Sequence, residues 1–349
     1  MAKRKTTRYT NPVLIIGGGS SGGSDTDTTA NTIGNRIASH LATLGIPAVT
    51  ASPSGVGPNG VRFDWHDAST WPGVFEGAGA VPHNRGENDD PDDNEGIRAV
   101  YLVGPPSGFG DGDGNGGGGG GEDVAGVVMD FVDFAREKLG GKNGSGMRFV
   151  LQSESGVESG VEAGGPALGK VHAYLRELGT RGEVEWAVLR PTWFQQTLAE
   201  RQNYVRSIRD ESRLYSATGG GKIPWVSVED LAAVAVQMLT RPDAPNTEFV
   251  VLGPELLSYD HVARMLSDLL GRKIVHIDLS TTELVDHYLA AGIPSSYAKM
   301  LSSLDTSVKF GSENRTNDVV LSVTGVAPRP FRQFLEEAKA VWAPVSSEA

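Results

Sequence analysis

Cysteine is absent from the 349 residues. That excludes disulfides, thiolate metal sites and a cysteine nucleophile, and it points to a cytoplasmic setting. Long apolar runs are absent too: none approaches the ~20 residues that cross a bilayer. The basic opening MAKRKTTRYTNP is followed by no apolar stretch, so residues 1–11 read as a flexible tail and not as a secretory signal. Positive charge is in deficit. Lys and Arg number 31 against 43 Asp and Glu, a net charge of −12, which argues against nucleic acid or an anionic membrane as partner. No internal repeat is visible, and nothing suggests a metal centre.

Glycine is abundant, 46 residues in all, against a typical share of ~7%. It crowds into the acidic stretch PPSGFGDGDGNGGGGGGED, and HNRGENDDPDDNEG is a second acidic, core-free stretch. Neither buries enough apolar surface to offset its ordering entropy, so disordered insertions are expected near 83–96 and 107–122. With these set aside, strand and helix patterns alternate. VLIIG, IPAVTAS, GVRFDW, RAVYLVGPP, MRFVLQSES and EWAVLRPTW are short apolar runs. Helical patterns lie between them at 33–44, 71–78, 123–140 and 167–179. Near-continuous apolar strands joined by helices predict an α/β fold, a Rossmann-like doubly wound parallel sheet covered on both faces. The expected division is a nucleotide-binding domain over 12–192 and a smaller α-rich substrate lobe over 193–349. Ligands of such sheets sit at the strands' carboxyl ends.

The first unit of that pattern, VLIIGGGSSGGSDTDTTANTIGNRIASHLATLG, is strand, glycines and amphipathic helix. A helix N-terminus after a glycine turn suits a pyrophosphate, which makes Gly17, Gly18, Gly19 and Gly34 candidates. The intervening loop is far longer than such a turn needs. The second strand ends in VTASPSG, without the acidic residue that takes a ribose 2′-hydroxyl or an arginine for a 2′-phosphate. Ser52, Ser54 and Arg36 are the substitutes. Asp64 and Trp65, ending the third strand, suit a place beside an adenine. The competing reading is a plain turn that keeps the fold without the nucleotide.

Ketone-reducing short-chain dehydrogenases use a Tyr-x-x-x-Lys pair as proton donor and ribose anchor. None of the eight tyrosines has a lysine four residues on. Lys170 falls where that lysine belongs, and the tyrosine position is Pro166. A lysine is offered without an acid; the bland alternative is a solvated helix lysine. An acceptor that already carries positive charge, such as an iminium carbon, needs no proton donor on reduction.

GGPALGKVHAYL, WAVLRPTWF, RDESRLYSATGGGKIPWVSVEDLA, NTEFVVLGPELLSYDHV and LGRKIVHIDL together resemble the NmrA-like atypical short-chain dehydrogenases of fungal ergot alkaloid biosynthesis, the festuclavine and agroclavine dehydrogenases. The resemblance implies an NADPH-dependent reductase of an indole-alkaloid iminium, with a small-molecule alkaloid as partner. It places Lys170 by the nicotinamide ribose, and Val103 to Pro106, with Pro105 among them, beside the cofactor. Pro191, Thr192, Trp193 and Phe194 would line the nicotinamide and substrate pocket, with Tyr215 and Trp225 as further substrate contacts. Three departures stand out: the expanded phosphate loop, the missing arginine after the second strand, and Glu154 following Ser153 where the family has a small neutral residue. Ser153 and Glu154 join Lys170 as candidate catalytic residues. Glu154 sustains a second reading, cofactor-independent acid-catalysed rearrangement of a reactive alkaloid intermediate such as a quinolone epoxide. The third is a non-catalytic, NADP-sensing NmrA-like regulator.

Overall fold

The computed structural model describes residues 11–17, 33–56, 59–78, 96–105, 124–139, 146–156 and 167–343. The expected insertions near 83–96 and 107–122 fall outside these, apart from Gly96. In chain order the elements are β1 (Val13–Ile16), α1 (Ile33–Thr43), β2 (Ala48–Ser52), β3 (Gly60–Arg62), α2 (Trp71–Ala78), β4 (Ala99–Val103), α3 (Val124–Leu139), β5 (Arg148–Gln152), α4 (Ala167–Thr180) and β6 (Glu185–Pro191). There follow α5 (Thr197–Glu200), α6 (Gln202–Asp210), β7 (Arg213–Ser216), α7 (Val228–Thr240), β8 (Thr247–Val251), α8 (Tyr259–Leu270) and β9 (Val275–Asp278). The last are α9 (Thr281–Ala290), α10 (Ser295–Lys309), α11 (Val319–Thr324) and α12 (Phe331–Ala338). Two units emerge. The first takes the described residues up to Arg190 together with Leu231–Val250; the second takes Pro191–Asp230 and the residues from Val251 on. Residues 231–250, expected in the substrate lobe over 193–349, belong to the first unit.

The first unit is built on a seven-stranded sheet in the order β3-β2-β1-β4-β5-β6-β8. The neighbours from β3 to β6 run parallel. The strands are short apolar runs because both faces are covered. Leu14, Ile16, Val100, Leu102, Phe149, Leu151 and Val188 join Val128, Phe131, Val171 and Leu175 of α3 and α4 in one core. The alternate residues Val13, Ile15, Val150, Ala187 and Leu189 are buried as well. Arg148 opens β5 fully buried, paired with Glu185 and donating to the Met238 and Arg241 carbonyls at the end of α7. It satisfies main-chain acceptors that burial would otherwise leave unpaired.

The second unit is α-rich, as expected, around Trp225, Tyr259, Phe331, Phe334 and Trp342. It also holds a parallel pair, β7 with β9. The helical stretch after β6 is two helices, α5 and α6, because Arg201 between them adopts an extended ψ of 122°.

Candidate functional site

In the first unit the carboxyl end of β1 meets β2 and β4 at Gly17. Its φ is +80°, and a Cβ there would lie 2.4 Å from the Val103 carbonyl oxygen; its N–H donates to the Ala51 carbonyl. Only glycine fits a left-handed position so close to another backbone. Gly34 is buried in the first turn of α1. Gly18 and Gly19 lie outside the described residues, as does the loop to residue 32. Val103 ends β4 and Pro105, two residues on, is buried, while Pro106 is not described. The Ser52 hydroxyl accepts the Gly55 N–H at 3.2 Å and so closes the turn after β2.

Asp64 is tied into the turn after β3, and Trp65 does not match its expectation. The Asp64 carboxylate accepts the His66 N–H at 2.9 Å, while its carbonyl takes the Trp71 indole N–H at 3.0 Å. Trp65 is 6% exposed, its ring edge-on to Phe63 and Phe131 in the core. An aromatic ending a strand can turn inward or outward. Here the apolar cluster under α3 takes it, and the ring is withdrawn from any adenine.

At the end of β5 the Ser153 N–H donates to the Leu189 carbonyl at 2.7 Å. The Ser153 hydroxyl is buried with no hydrogen-bond partner among the described residues. Glu154 is exposed, yet desolvation by the surrounding protein lifts its carboxyl above the ordinary carboxylate range. Lys170 stands in the first turn of α4 on its exposed side, between buried Gly169 and Val171.

In the second unit Pro191 and Thr192 are buried, and the Thr192 hydroxyl donates to Glu313 at 2.9 Å. Glu313 is itself 2% exposed. Trp193 packs against the unit's apolar core, and Phe194 bridges to Val226. Trp225 departs from expectation: it is 1% exposed, packed edge-on to Tyr259 and Phe331. Its ring serves the core and offers no free π-face. Tyr215 is half-buried against the His287 ring, with its hydroxyl donating to Glu211 at 2.7 Å.

A serine, a histidine and an aspartate stand in series in this unit, with Ser216 Oγ 2.8 Å from His276 Nε2 and His276 Nδ1 3.0 Å from Asp260. Ser216 is fully buried while the Asp260 side chain is 56% exposed. That is the reverse of what a nucleophilic serine needs, so the series pins β7, β9 and α8 together. Two surface concavities, about 480 and 410 Å³, are lined by none of the sequence-predicted residues. No metal-binding cluster occurs among the described residues, and no helix there is long and apolar enough to cross a membrane.

Sequence reasoning missed Arg190, Glu248 and Glu313. A signal for the first was available: a lone arginine in the apolar strand EWAVLRPTW must be paired if that strand is buried.

An open parallel sheet with a tight glycine at the end of its first strand is the framework of the NmrA-like atypical short-chain dehydrogenases. Solved structures agree at the level of fold. A triphenylmethane reductase from Citrobacter sp., complexed with NADP(H), superposes with a TM-score of 0.65 over 93% of this chain and 99% of that one, at 16% identity. The NADPH-dependent quinone oxidoreductase QOR2 from Escherichia coli gives 0.64 over 95% and 99%, at 13% identity. No family model matches the chain. Festuclavine synthase II of Penicillium roqueforti is 41% identical over 81% of this chain and 85% of its own length. Agroclavine dehydrogenase of Claviceps fusiformis is 37% identical over 88% and 95%. The chain belongs to the festuclavine and agroclavine dehydrogenase family of oxidoreductases.

Proposed function

We propose that this protein reduces an indole-alkaloid iminium with NADPH. The observation that carries the reading is Lys170 in the first turn of α4 with no tyrosine four residues before it. A ketone reductase built this way would lack its acid. The residues present suit the nucleotide: the missing Cβ of Gly17 lets the end of β1 lie directly against the Val103 carbonyl, at the carboxyl edge where such sheets bind their ligands. Gly17, Val103 and Pro105 would hold it, with Lys170 at the nicotinamide ribose. NADPH supplies a hydride when bound. An iminium carbon that accepts the hydride becomes a neutral amine, so the protein need deliver no proton. Its task is to orient two partners and keep water out, and orientation alone is worth about 7–11 kcal/mol in favourable cases. In the second unit, Thr192, Trp193 and Phe194 are the candidates for holding the polycycle.

The raised Glu154 carboxyl favours the acid-catalysed rearrangement as the second reading. One pair of measurements separates them. NADPH should quench tryptophan fluorescence on titration and be consumed with an N-methyl dihydro-β-carbolinium salt, a simple indole iminium. Glu154→Gln should keep kcat within about threefold, because no general acid is needed. Turnover of an alkaloid substrate without nucleotide, reduced ~10²–10⁴-fold by Glu154→Gln, would install the rearrangement instead. Binding without any turnover would leave the sensor.

A further inference from the structure

We propose that Arg190 is a positioning residue: it fixes the segment that carries Ser153 and Glu154 by holding the main-chain carbonyls beyond the end of β5. Its consequence for turnover rests on the reductase reading; its geometry does not.

Arg190 is the penultimate residue of β6 and only 6% exposed. Its Nη2 donates to the Ser155 carbonyl at 2.8 Å and its Nε reaches the Glu154 carbonyl at 3.4 Å. Its Nη1 donates to Glu248 of β8 at 2.7 Å. The sheet itself lets go of this segment one residue earlier, since the bond from Ser153 N–H to Leu189 is the last that β6 accepts from it. Ser155 is 3% exposed, so its bond from Arg190 is made out of contact with water. A planar guanidinium can meet two carbonyls and a carboxylate at once, where an ammonium cannot hold that fork.

The charge is closed locally. His172 Nδ1 lies 3.8 Å from the same Glu248 oxygen, and the histidine is 1% exposed. Burial lowers the His172 pKa, which keeps the ring neutral and leaves Glu248 to Arg190. Arg190 thus touches no reacting atom. It decides where the unpartnered Ser153 hydroxyl and the Glu154 carboxyl stand.

Arg190→Lys keeps a cation near Glu248 and surrenders the fork. In the full chain, amides 153–156 should exchange with deuterium at least ~10-fold faster than in the parent, while those of β1 and β4 keep their rates. With NADPH and the N-methyl dihydro-β-carbolinium salt, kcat should fall at least ~10-fold, with KM for NADPH within about twofold. Since Glu154→Gln alone should cost no more than about threefold, the loss rests on the Ser153 hydroxyl: in a Ser153→Ala, Glu154→Gln background the same substitution should cost less than about threefold, because nothing is left to position. Arg190→Gln, read the same way, serves if the lysine variant does not fold. Unchanged exchange at 153–156, an unchanged kcat, or an equal loss in both backgrounds overturns the proposal. If the parent consumes no NADPH, the reductase reading falls, and the exchange comparison alone decides the role of Arg190.

Discussion

Gly17→Ala should lose NADPH affinity by about 100-fold, equivalent to nearly 3 kcal/mol. A side chain at φ +80° costs about 1–2 kcal/mol on its own. Its Cβ would also stand 2.4 Å from the Val103 carbonyl, a backbone atom that cannot step aside without moving the end of β4. Both strand ends that would face the nucleotide are displaced together. Gly73→Ala is the matching control: it sits in α2, where a Cβ would meet nothing, and it should bind NADPH as the parent does. Isothermal titration of both variants, with urea unfolding to verify that each is folded, gives the comparison. Equal affinity for Gly17→Ala and the parent would mean that the nucleotide does not use the end of β1.

The stability of the protein should fall as pH rises from about 4 to about 7, and Asp305→Asn should remove that fall. Asp305 of α10 is 3% exposed and accepts the Ala217 N–H at 3.0 Å. Burial pushes its carboxyl up to about 7, from an ordinary 3.8. Below the ordinary value both folded and unfolded chains hold the proton. Between the two values only the folded chain holds it, so each rising pH unit withdraws about 1.4 kcal/mol. Across the window that is on the order of 4 kcal/mol, and no more is lost above it. The buried Tyr204, Tyr259 and Tyr288, whose hydroxyls form one chain, all feel the Asp305 charge. They stay neutral throughout this range, since burial raises all three. An asparagine keeps an oxygen for Ala217 and never ionises. Urea unfolding from pH 4 to 8 should therefore show the two proteins converging at the acid end, with the variant ahead by a few kcal/mol above pH 7. Parallel curves would sink the assignment.

The strands of the first unit were legible because a sheet buried on both faces leaves uninterrupted apolar runs, and VLII and AVYLV can be little else. The β7 strand was not, since RLYS carries no such run and is defined only by its pairing with β9. Gly17 was found because its demand is local, a turn after a strand. Trp65 and Trp225 were misplaced because a pattern tells where a ring begins and not which way it turns. The Arg190–Glu248 and Thr192–Glu313 pairs span 58 and 121 positions, and no spacing rule reaches that far. The function was carried by long strings in the second half of the chain, such as WAVLRPTWF and RDESRLYSATGGGKIPWVSVEDLA.

The path of the chain between units bears on the order of folding. The chain leaves the first unit after Arg190 and returns at Leu231 to supply most of α7 and then β8, which lies beside β6 at the sheet's edge. During synthesis, β6 therefore emerges as an open edge, and its buried arginine waits for a carboxylate that has not yet been made. Open apolar edges are templates for pairing with other chains. A fragment stopped at residue 192 should accordingly precipitate on expression, where the full chain remains in solution.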